Sequence, residues 1–311
     1  MDIVVVGAGS LGSFYGSLLA RNGHNVTFFA RGRTLEVLQN QALRIESKLV
    51  DDFTIQVCAT NDVTAIQPPD LVFLAVKTYD LDSAARAIAP IVGPETSILA
   101  VQNGVDHPQI ICQYVERSRI VPGVVYVSAT VEHPGHIRQI GGPGWVMIGE
   151  LDGGPNARTL AIKKVFDGTG IDCTVHENIE TVIWQKFMVI CAMSGVTALT
   201  RLTLQQIFDD EETTGLYLAV MTEVASVATA HGISISAEQA GEMCQTVMNT
   251  RPLPERGSMA YDLLTGRRLE LSSLNGAAVR LGQEKHVLTP MNWCITASLG
   301  PFENGTPHSA A

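Results

Sequence analysis

MDIVVVGAGSLGSFYGSLLA, residues 1–20, carries a continuous β-branched run, glycines at 7, 9 and 12, and then a renewed apolar pattern. Ile3–Val6 suits a strand buried on both faces of a parallel sheet, which requires helices above and below it. Beyond Ser10, the residues Leu11, Phe14, Tyr15, Leu18 and Leu19 recur at helical spacing, and Gly23 stands where that helix should end. In such a strand–turn–helix unit the first glycine permits the bend. The second lets backbone approach a pyrophosphate, and the third lets helix pack on strand. The helix N-terminus supplies unpaired N–H groups and a positive dipole end. The segment Gly7, Ala8, Gly9, Ser10, Leu11 and Gly12 is therefore expected to cradle a dinucleotide.

A second strand, Asn25–Phe29, runs into Ala30-Arg31-Gly32-Arg33, where NAD-specific folds usually place an acid for the adenosine ribose. A guanidinium there suits a 2′-phosphate through charge-assisted bonds, so the cofactor expected is NADP(H), with Arg31 as its reader. The bland reading is that Arg31 and Arg33 are solvated turn residues.

The 311 residues are 46% hydrophobic and 17% charged, which fits two well-filled domains. A formal net charge of −10 opposes general affinity for nucleic acid. The six cysteines are scattered, with no CxxC pair and no metal-ligand spacing, so no metal site is expected. No basic leader precedes the first strand and no apolar run approaches the ~20 residues of a membrane span, so neither a membrane nor a nucleic acid is an expected partner. The expected location is cytoplasmic.

Strand signals dominate to about residue 176: Phe53–Cys58, Leu71–Val76, Ser97–Val101, Ile120–Tyr126 and Trp145–Gly149 follow the first two. Long helical stretches then take over at Thr181–Leu199, Thr214–His231, Ala237–Asn249 and Asn275–Glu284. The expected fold is a Rossmann-type doubly wound parallel α/β sheet over residues 1–176, followed by an all-helical substrate and catalytic domain over 177–311.

In doubly wound folds ligands bind beyond the carboxyl ends of the first, fourth and fifth strands. The fourth ends LVFLAVKTYD, placing Lys77 near the cofactor, and the fifth ends ILAVQNGV, placing Asn103 there too. Their bland readings are a solvated strand-end lysine and an ordinary Asn-Gly corner. In ETVIWQKFMVICAMSGVTALT, Lys186 interrupts an otherwise apolar helix. A buried lysine either finds a partner or has its pKa lowered, which makes it a candidate acid, unless it snorkels to the surface. Glu270 stands between two leucines twelve residues after Ser258. It either faces solvent or pairs with a buried lysine.

Taken in order, GAGSLG, the Arg31 position, VKTYD, QNG, WQKF and SMAYDLLTGRRLELSSLNG resemble the motifs of the ketopantoate reductase family, 2-dehydropantoate 2-reductases, over nearly the whole chain. Members reduce the 2-keto group of ketopantoate with NADPH to give pantoate, on the route to pantothenate and coenzyme A, and have a Rossmann domain followed by a helical one. The resemblance implies that Lys186 is the catalytic lysine and Glu270 its partner acid, near the nicotinamide ribose. It implies that Ser258 holds the substrate carboxylate, and that Asn103 and Lys77 help hold cofactor and substrate. The partner implied is a small-molecule 2-oxoacid, and the oligomeric state, a homodimer among the alternatives, is left open.

The sequence departs from that pattern at two substrate-binding positions. Family members carry asparagines four and eight residues after the lysine, where this chain has Ile190 and Ser194, and a third asparagine aligns with Glu255. A pocket without those amides should discriminate less for a hydroxylated substrate. Two alternatives to a ketopantoate reductase follow: a related reductase of a more apolar 2-oxoacid, and a non-catalytic NADPH sensor, for which the pair Lys186 and Glu270 would be unnecessary.

Overall fold

The structure, a computed structural model, describes residues 1–250 and 255–307. They divide into two compact units: Met1–Gln102 with Asp106–Ile179, and Asn103–Val105 with the chain from Glu180 onward.

The first unit runs β1 (Asp2–Val6), α1 (Ser10–Arg21), β2 (Asn25–Phe29), α2 (Gly32–Asn40), β3 (Leu43–Glu46), β4 (Phe53–Ile55), β5 (Cys58–Thr60), β6 (Leu71–Leu74), α3 (Leu81–Ile88), β7 (Ser97–Ala100), α4 (His107–Ile111), β8 (Ile120–His133), β9 (His136–Ile148), α5 (Ala157–Val165) and β10 (Cys173–Val175). The sheet order is β4-β3-β9-β8-β7-β6-β1-β2-β5, with β10 paired to β9. From β7 to β5 every pairing is parallel. The odd residues Ile3, Val5, Leu71 and Phe73 enter one core, and the even residues Val4, Val6, Val72 and Leu74 enter the other. Both faces of the sheet are covered, as the continuous apolar strands require.

Two expectations for the first unit need correction. The stretch expected as one strand, Phe53–Cys58, is two: β4 pairs antiparallel with β3, while β5 pairs parallel with β2. The alternation of Phe53, Ile55 and Val57 reads as one element because the pairing partners are distant in sequence. These two strands end the sheet path, yet only Gln56 and Val57 join them. The sheet must therefore curl until its ends stand within about 10 Å, the reach of three peptide units. The sheet is also mixed. The segments Ile120–Tyr126 and Trp145–Gly149 fall at the open ends of one long antiparallel hairpin, β8–β9, turning at Gly135 with φ +83°. Its outer half carries polar residues and glycines, which hide the strand pattern.

The second unit comprises α6 (Ile179–Thr200), α7 (Leu204–Phe208), α8 (Glu211–Ala230), α9 (Ala237–Thr250), α10 (Ser258–Leu264), α11 (Asn275–Glu284) and α12 (Pro290–Leu299). The helix α12 was not legible, since MNWCITASL lacks a clear apolar stripe; Trp293 is exposed while Ile295 is buried. Contrary to the expectation of no long apolar run, α6 has 22 residues and an 18-residue window of mean hydropathy 1.5, enough by length and composition to cross a membrane. It is a core helix instead, with 67% of its apolar window buried in protein. Its Trp184 meets Phe187 edge-on and stacks against His231 of the α8 C-cap.

A chain of buried polar groups ties the helices together. The Glu223 carboxylate on α8 accepts from the Met291 and Asn292 amides at 2.8 and 3.0 Å and from the Asn292 side chain at 2.7 Å. The side-chain oxygen of Asn292 in turn accepts from Asn275 at 2.9 Å, whose Nδ2 also donates to the Cys191 carbonyl of α6 at 3.2 Å. Each bond replaces one lost to water, so removing a single member would leave its neighbours unsatisfied.

In the first unit, Tyr15 donates to the Gly144 carbonyl at 3.0 Å within the core. Burial drives its hydroxyl pKa up, with Cys173 adding to the effect. Burial also pushes the Cys173 thiol from 9.0 up to about 12. Both groups are neutral when protonated, and the unfolded chain releases these protons first. Their contribution to stability is therefore complete below pH 9 and lost as pH rises towards 12. Denaturant midpoints should fall over that range, and Cys173→Ala should flatten the fall. Tyr15→Phe should cost about 1 kcal/mol at neutral pH, read from the same unfolding curves.

Candidate active site

In the first unit each glycine of the turn has its own steric reason. Gly7 has φ +97°, and a Cβ there would lie 2.8 Å from Val76 Cγ1 and 3.0 Å from the Ala75 carbonyl oxygen. A Cβ on Gly12 would lie 1.9 Å from the Gly7 carbonyl oxygen, so no side chain fits between turn and helix. A Cβ on Gly9 would meet nothing within 4 Å. Gly7 and Gly12 thus shape the turn, and Gly9 leaves its backbone open to a ligand. Gly9 is also the N-cap of α1 and has no side-chain cap, so the first amides of the helix point outward. Ala8, Ser10 and Leu11 are half-buried around it. The donor set and the open backbone fit the pyrophosphate of a dinucleotide.

Flanking β1 on either side are β2 and β6, and the two loops that leave them carry the remaining candidates. Arg31 has extended backbone, caps α2 and is exposed. Lys77 precedes a 3-10 turn over Thr78–Asp80, is half-buried and is engaged by neighbouring groups. The Arg31 guanidinium meets the Asp80 carboxylate at 2.9 Å. Asp80 is the last residue of VKTYD, and nothing in that motif signals its partner on the loop after β2.

The other candidates belong to the second unit. Lys186, Ile190 and Ser194 lie four residues apart on one face of α6. Exposure closes down along that row: Lys186 is half-buried, Ile190 is 9% exposed and Ser194 is fully buried. The Ser194 hydroxyl has no hydrogen-bond partner among the described residues. Gly257 explains its burial, because a Cβ there would lie 2.5 Å from Ser194 Cα and 2.9 Å from the Met193 carbonyl oxygen. The Gly257 amide donates to Thr197 Oγ1 at 3.0 Å, which donates to the Met193 carbonyl at 2.6 Å. The chain is clamped to α6 there, and Ser258, the next residue, is exposed as the first of α10. In the sequence the signal for Gly257 is its place directly before Ser258.

Glu270 is 5% exposed and engaged by neighbouring groups, as is Lys186. It opens a 3-10 turn over Leu271–Ser273 that leads into α11. The Asn103-Gly104 corner lies on that turn: Gly104 has φ +92°, and a Cβ there would lie 2.8 Å from the Ser273 carbonyl oxygen. Asn275, five residues after Glu270, reaches the Cys191 carbonyl, and a Cβ on Gly195 would strike its amide at 2.6 Å. Backbone contacts thus bring the Asn103 corner to the Glu270 turn, and the Ser258 segment to the Ser194 end of α6. Among the described residues no cluster of three His, Cys, Asp or Glu could hold a metal ion.

The sequence profile described as "Ketopantoate reductase PanE/ApbA" matches residues 3–153, and the one described as its C-terminal part matches residues 178–303. The chain is 29% identical to 2-dehydropantoate 2-reductase of Pyrococcus horikoshii over 297 residues, covering 96% of each chain. It is 29% identical to the enzyme of the same name from Archaeoglobus fulgidus, covering 97% of this chain and 98% of that one. The crystal structure of a PanE/ApbA family ketopantoate reductase from Ralstonia eutropha JMP134 superposes with a TM-score of 0.88 at 30% identity, covering 97% and 98% of the two chains. With both profiles matched in order across almost its full length, on a fold that carries the glycine turn in one unit and the lysine helix in the other, the chain belongs to the ketopantoate reductase family, oxidoreductases acting on a CH–OH/C=O group.

Proposed function

We propose that this protein is a cytoplasmic enzyme that reduces a 2-oxoacid with NADPH, and that ketopantoate, giving pantoate, is its substrate. The observation that carries the reading is the turn in which Gly7 and Gly12 are sterically obligatory while Gly9 stands open, in a chain of this family. The nicotinamide, when bound, supplies a hydride to the carbonyl carbon. Negative charge then develops on the carbonyl oxygen, and the Lys186 ammonium is assigned to neutralise it and give up the proton, completing the 2-hydroxyacid. Half-burial on α6 suits that task, since the residue is neither sealed in the core nor fully solvated. The buried Glu270 carboxylate is assigned to hold the lysine's charge and orientation. Ser258, exposed at the start of α10, is assigned to the substrate carboxylate, and Asn103 and Lys77 to positioning substrate and cofactor.

A second reading, reduction of a more apolar 2-oxoacid, is favoured by the row beyond Lys186. Ile190 offers hydrocarbon where an amide would bind a hydroxyl, and the fully buried Ser194 hydroxyl lies beneath it. Turnover of ketopantoate against 2-oxoisovalerate and 2-oxoisocaproate, followed as loss of NADPH absorbance, separates the two.

Three outcomes are expected. Lys186→Ala should lose about 10²- to 10³-fold in turnover while still binding NADPH; near-normal turnover by a folded variant would remove the lysine from the mechanism. Arg31→Ala should weaken NADPH about tenfold and spare NADH, an effect modest because the guanidinium is exposed. Equal loss for both cofactors would make the arginine a loop support. Ile190→Asn should raise the ratio of ketopantoate to 2-oxoisovalerate turnover, and an unchanged ratio would take Ile190 out of substrate choice.

A further inference from the structure

Asp80 occupies the first position before α3, where an aspartate ordinarily accepts from the amides of the opening turn. Its side chain makes no such capping bond. The carboxylate instead meets the Arg31 guanidinium at 2.9 Å, with side-chain exposures of 33% and 77%. The topology gives this pair its meaning. Arg31 follows β2 and Asp80 follows β6, and both strands pair in parallel with β1, one on each side. Loops separated by two strand spacings, about 10 Å, are joined by one ion pair beyond the carboxyl end of β1, where the glycine turn lies.

We propose that Asp80 is a specificity-determining residue that restrains the preference for NADPH over NADH by competing with the 2′-phosphate for Arg31. This inference rests on the nucleotide-binding reading above. The guanidinium has a fixed fork that satisfies one planar or tetrahedral anion well, and Asp80 already brings one carboxylate oxygen to 2.9 Å from it. A 2′-phosphate brought to Arg31 must displace that carboxylate or share the arginine with it, and two anions at one cation repel. A ribose bearing a 2′-hydroxyl has no such conflict, because a carboxylate accepts a hydroxyl hydrogen bond. Asp80 therefore acts against NADPH and is neutral or favourable towards NADH. Because both groups face water, the pair is weak enough to exchange.

The test is fluorescence titration of the wild-type protein and of Asp80→Asn, Asp80→Glu, Arg31→Ala and the double variant Arg31→Ala/Asp80→Asn with NADPH and NADH. Asp80→Asn keeps the shape and removes the charge, so the ratio of NADPH to NADH affinity should rise by about two- to fivefold, the scale of one exposed ion pair. Asp80→Glu, which keeps the charge, should leave the ratio near the wild-type value. The effect of Asp80→Asn should shrink in the Arg31→Ala background and at high salt. A ratio that Asp80→Asn leaves unchanged or lowers, or that Asp80→Glu shifts equally, overturns this inference alone. A wild-type protein that binds neither nucleotide overturns it together with the proposed function.

Discussion

The tightest constraint in the first unit is the gap between α1 and the turn before it: a Cβ on Gly12 would stand 1.9 Å from the Gly7 carbonyl oxygen. No rotamer change relieves that clash, because the obstacle is backbone. The missing side chain lets α1 lie against β1, which seats Phe14, Tyr15, Leu18 and Leu19 in the core beneath the sheet. The same approach aims the uncapped end of α1 over the turn. Packing and ligand chemistry are thus two results of one steric fact.

In the second unit, position is set by polar groups that have no alternative to one another. The Glu223 carboxylate, Asn292, Asn275 and the Cys191 carbonyl form a directed series in which each donor has its acceptor. Hydrophobic contact alone would let α6, α8, α11 and α12 slide by fractions of a turn, since apolar surface is not directional. Hydrogen-bond geometry does not allow that. Gly257 adds a second fixed point by resting on Ser194 Cα. Lys186 and Ser258 are therefore carried by elements whose register is specified.

The parts legible in the sequence were those whose cause is local. Three glycines between a β-branched run and a helical stripe carry their own explanation, as do the long apolar periods of α6 and α8. The lysine, the serine and the acid are singled out as candidates by the order and spacing of motifs. What escaped depended on partners far along the chain. Phe53–Cys58 breaks into two strands because β3 and β2 claim its halves, and nothing between residues 53 and 58 reports that choice. The Arg31–Asp80 pair joins residues 49 positions apart. Burial of Ser194 follows from a glycine 63 residues later that contributes no side chain.

The split of that segment has a bearing on how the molecule behaves in a crowded solution. β4, β5 and β10, which terminate the sheet or pair with a single strand, are each three residues long. The long strands β8 and β9, by contrast, spend much of their length hydrogen-bonded to each other and to neighbours. At those three strands another chain seeking to extend the sheet would find only a stub, too short to template a stable intermolecular ladder. Shortness alone thus keeps β4, β5 and β10 from offering an adhesive rim.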